Sequence, residues 1–317
     1  MPNDPTSSEP ESVTVGDAAE EHFYLRSSVL AASKSLPIKK DMFDEIAGAH
    51  NFYSDVILIE EKYDTVVENY YEFERELIEI AARHMLFDIS DESFFNQTSL
   101  INRRLLNLLA AVRMYNDHTK RQIIRLFGRK SSLLKAVLKK SDQIKQSNAG
   151  YFFLDHIRNF LQHAGYALDG FSVGSSSRHV DGNFISFHDL RAKFSMAEIL
   201  DDPRTDKSIR ERMPEIENMD AKDLIRSGID GVSEFHQHLR DNIDEHLASR
   251  KDIIVSALSL FEACELNSTN ESPVLVREVN HKPVFHRHIS HAILRRFESY
   301  RKKNRQLRRL SSQRIIS

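Results

Sequence analysis

Tryptophan is absent from this sequence, cysteine occurs once, and glycine and proline appear only ten and eight times in 317 residues. The lone thiol, Cys264, excludes an internal disulfide framework and any cysteine-based zinc site. So little Gly and Pro removes most of the punctuation that a turn-rich β protein needs. No uninterrupted apolar stretch approaches the ~20 residues of a membrane span. The opening MPNDPTSSEPESVTVGDAAEE lacks both the basic segment and the apolar run of a signal peptide. These absences lead to the expectation of a cytoplasmic, reduced, soluble protein with no membrane partner. Nucleotide-binding and metalloprotease signatures are missing too. Gly128-Arg129-Lys130-Ser131 has the tail of a phosphate-binding loop but neither its first Gly nor a preceding strand, and G-x-G-x-x-G and H-E-x-x-H do not occur. No cofactor is expected.

What is present is helical. Hydrophobic residues make up 40% and charged residues 29%, enough for a sizeable core under a soluble surface. The net charge of −3 hides an asymmetry: from Arg295 onward nine Lys or Arg face one acid, Glu298, giving +8 and leaving −3 − 8 = −11 for the rest. An acidic body with a basic tail is unlike a general nucleic-acid coat. The tail is expected to be a solvated helix, to fold back on an acidic partner surface, or to add phosphate contacts.

Residues 1–20, acidic and rich in Ser and Pro, are expected to be disordered. The helical domain is expected over 21–266 and a strand or loop followed by the basic tail over 267–317. Phe52, Val56, Ile59, Tyr63, Val66, Tyr70, Phe73, Leu77 and Ile80 advance by alternating fours and threes, the seam of a long helix from about Asp41 to Phe87. Ser90-Asp91-Glu92-Ser93 ends it. Ile101, Leu105, Leu108, Val112 and Tyr115 continue the spacing in a second helix, about Gln97 to Phe127, and Gly128 suits its C-terminal cap. The fold class is therefore all-α, a helical bundle built on a long antiparallel helix hairpin. Shorter helices follow over about Ser132–Gln146 and Tyr151–Leu168. GFSVGSSSRHVDGNFISFHDL, residues 170–190, predicts a short β-hairpin or irregular excursion over about 171–194, around Asp181-Gly182-Asn183. A short helical stretch runs from Ser195 to Leu200 and a long one from about Asp220 to Leu266, with Gly228 and Gly231 as potential breaks. SPVLVREVN, 272–280, is the one late strand candidate. His281, His286, His288 and His291 have no acid among them and read as a turn before the tail rather than a metal site. His236 and His238, two apart on a helix, face different directions and cannot chelate together.

One stretch carries chemistry: IRNFLQHAG, 157–165. At about 100° per residue, Phe153, Ile157, Phe160, Leu161 and Ala164 form a core face. Asp155, Arg158, Asn159, Gln162, His163 and Tyr166 form a polar strip, with Asn159 and His163 one turn apart and Arg158 at the opposite edge. Packing a bundle requires no such set. Arg-Asn-x-x-x-His on the late helix of an all-α bundle resembles the signature of the HEPN superfamily, helical domains that include ribonucleases of toxin–antitoxin, phage-defence and RNA-processing systems. That pattern is Arg, a polar residue, and a His four to six residues beyond the Arg. Arg158, Asn159 and His163 fit its shortest form; the likeness of architecture covers roughly residues 40–170. Two other pairs share the spacing. Arg113–His118 has Met after the Arg and lies in the long core helix. Arg240–His246 has Asp after the Arg, but Asn242, Asp244 and Glu245 make it read as a solvated helix.

The residue types suit metal-independent RNA cleavage. Histidine titrates near neutrality and serves as base toward the 2′-hydroxyl or acid toward the 5′-oxygen. Arginine is always charged and grips phosphate oxygens with a planar fork. The resemblance implies catalytic Arg158 and His163, with Asn159 orienting them and Asp155, Gln162 and Tyr166 supporting. It also implies a homodimer whose two-fold axis joins two Arg–His pairs in one cleft, an RNA substrate, an antitoxin or inhibitor protein as partner, and a defence or toxin setting. The alternative is a non-catalytic helical interaction or regulatory protein that uses the strip as a polar surface.

Overall fold

The computed structural model describes residues 20–27, 35–87, 90–164, 168–181, 183–203, 205, 207–212, 216, 219–264 and 272–304. Nearly all of the acidic N-terminus expected to be disordered therefore lies outside the described residues. The chain is mostly helical with small antiparallel sheets, and its contacts divide it into two units. One comprises Met1–Ala49 and Asp252–Ser290, the other His50–Lys251 and His291–Ser317.

The smaller unit holds a four-stranded antiparallel sheet in the order β2 (Ser35–Pro37), β1 (Glu21–Arg26), β5 (Val274–Val279), β6 (Lys282–His288). Strand β5 is the one the sequence predicts. Strand β6 falls where the sequence suggests a histidine-rich turn. The turn is only Asn280-His281, both at positive φ (50° and 59°), and Val279 pairs directly with Lys282. Two left-handed residues in sequence make the tight turn whose twist matches a hairpin. The start of α1 (Lys40–Leu86) contributes Phe43, whose ring lies 5.0 Å from Phe23 and 5.3 Å from Phe285.

In the larger unit α1 and α2 (Asp91–Phe127) are joined by side-chain contacts in opposite order along the two helices. His84 meets Gln97 at 3.0 Å, Arg104 meets Glu72 at 2.6 Å, Tyr63 meets Tyr115, and Arg125 meets Asp55 at 3.2 Å. The expected seam is buried throughout, Phe52 to Ile80 on one helix and Ile101 to Tyr115 on the other. Helix α2 begins six residues earlier than its apolar spacing suggests, because Ser90 caps it by accepting from the Ser93 amide at 3.2 Å. Helices α3 (Ser132–Ser147) and α4 (Ala149–Ala164) follow. Then β3 (Leu168–Val180) and β4 (Asn183–Phe194) form a two-stranded hairpin turning at Asp181, longer than the short excursion expected. Asn102 of α2 holds its base by exchanging two hydrogen bonds with the Leu168 backbone, at 3.0 and 3.1 Å. Short α5 (Met196–Asp201) and α6 (Lys207–Glu211) lead into α7 (Ala221–Ala263), and α8 (His291–Lys303) ends the described chain apart from Asn304.

Gly228 and Gly231 do not split α7. They are points of close approach: a Cβ on Gly228 would lie 2.4 Å from Leu154 Cδ1, and one on Gly231 2.7 Å from Tyr151 Cβ. On the facing helix, a Cβ on Gly150 would lie 2.3 Å from the Leu224 carbonyl oxygen and 2.5 Å from the Gly228 nitrogen. Three glycines thus let α4 and α7 approach backbone to backbone.

Candidate functional site

Helix α4 runs unbroken to Ala164, so Arg158, Asn159, Gln162 and His163 all have helical backbone, and Asn159 and His163 stand one turn apart. The side chains of these four residues lie outside the described residues, as do those of Leu161 and Ala164 and the whole of Tyr166. The described part of the expected core face is in the core: Phe153 and Ile157 are fully buried and Phe160 nearly so. Burial also extends round the first turns to Tyr151, Phe152 and Leu154, because α7 closes in at the glycines. Asn148 fastens the start of the helix, accepting from the Tyr151 amide at 2.8 Å and donating to the Ser227 carbonyl at 2.9 Å.

Asp155, on the strip one turn before Arg158, is largely enclosed. Its carboxylate meets Lys145 of α3 at 2.7 Å and Arg113 of α2 at 3.8 Å. One acid thereby ties the motif helix to two neighbours. On its flank the His156 ring stacks on Phe152 at 4.2 Å, and its Nδ1 lies 2.7 Å from the Phe152 carbonyl oxygen.

In the rival pair Arg240 is not solvated, whereas His246 is half-buried against Phe127, and Asp244 and Glu245 are exposed. Arg240 is buried and donates to both carboxylate oxygens of buried Glu60, at 3.1 and 2.5 Å. Arg301 of α8 reaches the same carboxylate at 2.6 Å. His236, one turn before Arg240, places Nε2 3.1 Å from Glu60 and Nδ1 2.9 Å from the Tyr115 hydroxyl, while the Tyr63 ring stacks on it at 3.7 Å. Carboxylate oxygens only accept, so Nε2 carries the proton and Nδ1 accepts from Tyr115. Burial pushes His236 down to about 4, although the Glu60 carboxylate pulls the other way. Burial works against ionised Glu60, but the hydrogen bonds from His236 and Arg240 and the Arg240 charge outweigh it and hold the carboxyl well below its ordinary range. A tyrosine–histidine–carboxylate relay suggests catalysis, yet Tyr115, His236 and Glu60 are all at most 2% exposed. No face is left for a substrate, and the assembly joins α1, α2, α7 and α8.

Part of the basic tail is paired within the chain. In α8, Arg296 pairs with Glu61, Arg301 with Glu60 and Asp244, and Lys303 with Asp64 and Glu68. Three of the five Lys and Arg in the described part of the tail thus pair with acids of their own chain, while Arg295 and Lys302 stay exposed. Beside α8 is an open cavity of about 300 Å³ with Tyr53, Leu247, Leu294 and Phe297 on its walls. Its charged rim is already paired, Lys251 with Glu298 at 3.1 Å and Arg301 with Asp244 at 2.9 Å.

The sequence carries a signal for this cluster that its motifs do not. Glu60 falls between Val56 and Tyr63, and His236 and Arg240 fall between Val232 and Ile243, all at core spacing. An acid on one seam and a histidine–arginine pair on another are complementary. Arg113, of the third pair, is held by Asp117 at 3.0 Å as well as by Asp155. Its partner His118 is pushed below its ordinary value by burial and by the nearby Lys62 and Arg121. Among the described residues no helix is long and apolar enough to cross a membrane, and no group of three or more His, Cys, Asp or Glu is placed to hold a metal. Compared with family models, curated proteins and solved structures, the chain gives no match.

Proposed function

We propose that the protein is a metal-independent endoribonuclease whose site is built on α4. Arg158 neutralises the scissile phosphate, His163 transfers protons and Asn159 orients them, with Gln162 and Tyr166 nearby. Asp155 serves from behind by fixing the helix. In this reading α1 and α2 form the antiparallel hairpin of a HEPN-like bundle, and two protomers share one cleft. The setting is cytoplasmic, in defence or toxin–antitoxin systems, with an inhibitor protein as partner. The observation that carries the proposal is the Arg-Asn-x-x-x-His spacing on one continuous helix, anchored by three glycines and by an ion pair to α3. Incubating the purified chain with mixed RNA in EDTA tests it. Wild type should cleave and leave 2′,3′-cyclic phosphate ends, and His163→Ala should fall by about 10²–10⁴-fold. A requirement for Mg²⁺, or 3′-hydroxyl ends, would count against these roles.

A second reading is a helical interaction or regulatory protein without catalysis. It is favoured by large apolar side chains exposed at the end of α1 and the start of α2, Leu86 at 73%, Phe87 at 63% and Phe95 at 65%. Under it, RNA stays intact in every buffer.

A further inference from the structure

The acidic body conceals a second basic region. From Arg113 to Lys145 there are ten Lys or Arg and two acids, Asp117 and Asp142, a balance of +8. With the tail also at +8, the remainder of the chain carries −3 − 8 − 8 = −19. In the structure this region is the second half of α2, the turn at Gly128–Ser131, and α3.

The two basic regions differ in what their charges do. Three tail cations are paired with acids of α1 and α7, as described above. In the α2–α3 region, Arg113, Arg125, Lys140 and Lys145 are likewise paired, with Asp117, Asp55, Glu234 and Asp155. Six more, Lys120, Arg121, Arg129, Lys130, Lys135 and Lys139, are exposed and pair with no carboxylate among the described residues. Lys135 and Lys139 are one turn apart on the outer face of α3, and so are Arg121 and Arg125 on α2, which puts neighbouring charges about 5–6 Å apart at their Cβ atoms. The N-terminus of α3, capped by Ser131, adds partial positive charge at the turn between them. Burial first, then Lys62 of α1 and Arg121 of the ridge, push His118 below its ordinary value.

We propose that this α2–α3 ridge is a phosphate-backbone track for nucleic acid, bound without regard to base sequence. An interfacial membrane helix would need an apolar face free to enter the lipid. The apolar face of α3, Leu133, Leu134, Val137 and Ile144, is instead buried in the protein. Base readout by stacking needs exposed aromatics, and the exposed large hydrophobics of the ridge are only Met114 and Leu138. Cations without stacking platforms bind phosphates and position a strand. The ridge adjoins α4, since Arg113 and Lys145 are the residues that hold Asp155. The choice of RNA over DNA rests on the ribonuclease reading; the phosphodiester track does not.

The test measures binding rather than cleavage. A labelled RNA oligonucleotide and its DNA counterpart are titrated in EDTA with full-length His163→Ala protein, which keeps the RNA intact. Affinity should fall steeply between about 50 and 200 mM salt. Adding Arg121→Gln, Arg129→Gln, Lys135→Gln and Lys139→Gln together should weaken RNA binding by about tenfold or more. It should also flatten the log–log salt slope by roughly 0.7 for each phosphate that is no longer neutralised. The exposed tail pair Arg295→Gln with Lys302→Gln should change affinity by less than about twofold. Should the quadruple variant misfold, the Arg121/Arg129 and Lys135/Lys139 pairs are tested separately for the same graded loss. Unchanged affinity in the folded ridge variants overturns the track, as does binding to phosphatidylserine vesicles with none to RNA or DNA. A chain that binds RNA through the ridge and never cleaves it retains the track and loses the ribonuclease reading.

Discussion

A buried carboxylate sets the residue-scale energetics of this protein. Glu60 accepts hydrogen bonds from Arg240 and His236 and pairs with the Arg301 charge inside the core, and such a network is costly to break from one side. Removing Arg240 takes two charge-assisted hydrogen bonds from a buried carboxylate and leaves it Arg301 alone as a cation, with a penalty of up to about 3–5 kcal/mol. Arg240→Ala should therefore lower stability by up to that amount in urea titrations. If RNA cleavage is lost in Arg240→Ala, the loss should track unfolded protein; a folded variant without activity would reinstate the rival pair as the site. The pH dependence follows from His236. Its folded value of about 4 lies below the ordinary value of about 6.5. Between those pH values the unfolded chain takes up a proton that the folded chain refuses, so stability falls as pH falls through that window. Glu60, held ionised when folded, adds a further loss below its ordinary range. Melting temperature followed from about pH 7.5 down to about 5 should decline in wild type. In His236→Gln it should start lower and decline less. An equal slope in both would remove His236 from the account.

At the scale of elements, periodic apolar spacing carries most of the legible information. The seam from Phe52 to Ile80 and that from Ile101 to Tyr115 are buried as their spacing predicts, and Val274–Val279 is a strand within the predicted segment. What spacing conveys poorly is anything set by a partner distant in sequence. Strand β1 is half-buried and pairs with β5 some 250 residues away, Glu21 facing Val279; nothing local announces it. Strand β6 alternates exposed and half-buried residues and gains its place from β5. Gly228 and Gly231 look like breaks when α7 is read alone and become packing positions once α4 is present. Opposite outcomes for two helical glycines test this. Gly150→Ala forces a Cβ against backbone atoms at 2.3 and 2.5 Å, which no side-chain rotation relieves, so it should cost at least about 1–3 kcal/mol. Gly48, inside α1, has nothing within 4 Å of an added Cβ, so Gly48→Ala should stabilise by up to about 1 kcal/mol. Urea midpoints moving in the same direction for both would show that the close α4–α7 approach is not what these glycines serve.

For the whole molecule, the decisive question is whether one chain suffices. The strip on α4 offers a single histidine, His163, and cleavage by 2′-hydroxyl attack needs one proton removed and another delivered. Two copies related by a two-fold axis meet that need with identical residues and no further invention. On the proposed ribonuclease reading catalysis then depends on association, so specific activity should fall on dilution through the dimer dissociation constant. Mixing gives a sharper reading. In an equal mixture of wild-type and His163→Ala chains, random pairing leaves about a quarter of dimers with two imidazoles. If both histidines act, the mixed dimers lose roughly 10²–10⁴-fold in rate, and total activity settles near that quarter of a wild-type sample at the same total concentration. If one histidine per dimer is enough, mixed dimers contribute and activity stays near half or above. A monomer active at full rate after dilution, or a mixture that retains half, would refute the composite site and confine the chemistry to a single α4.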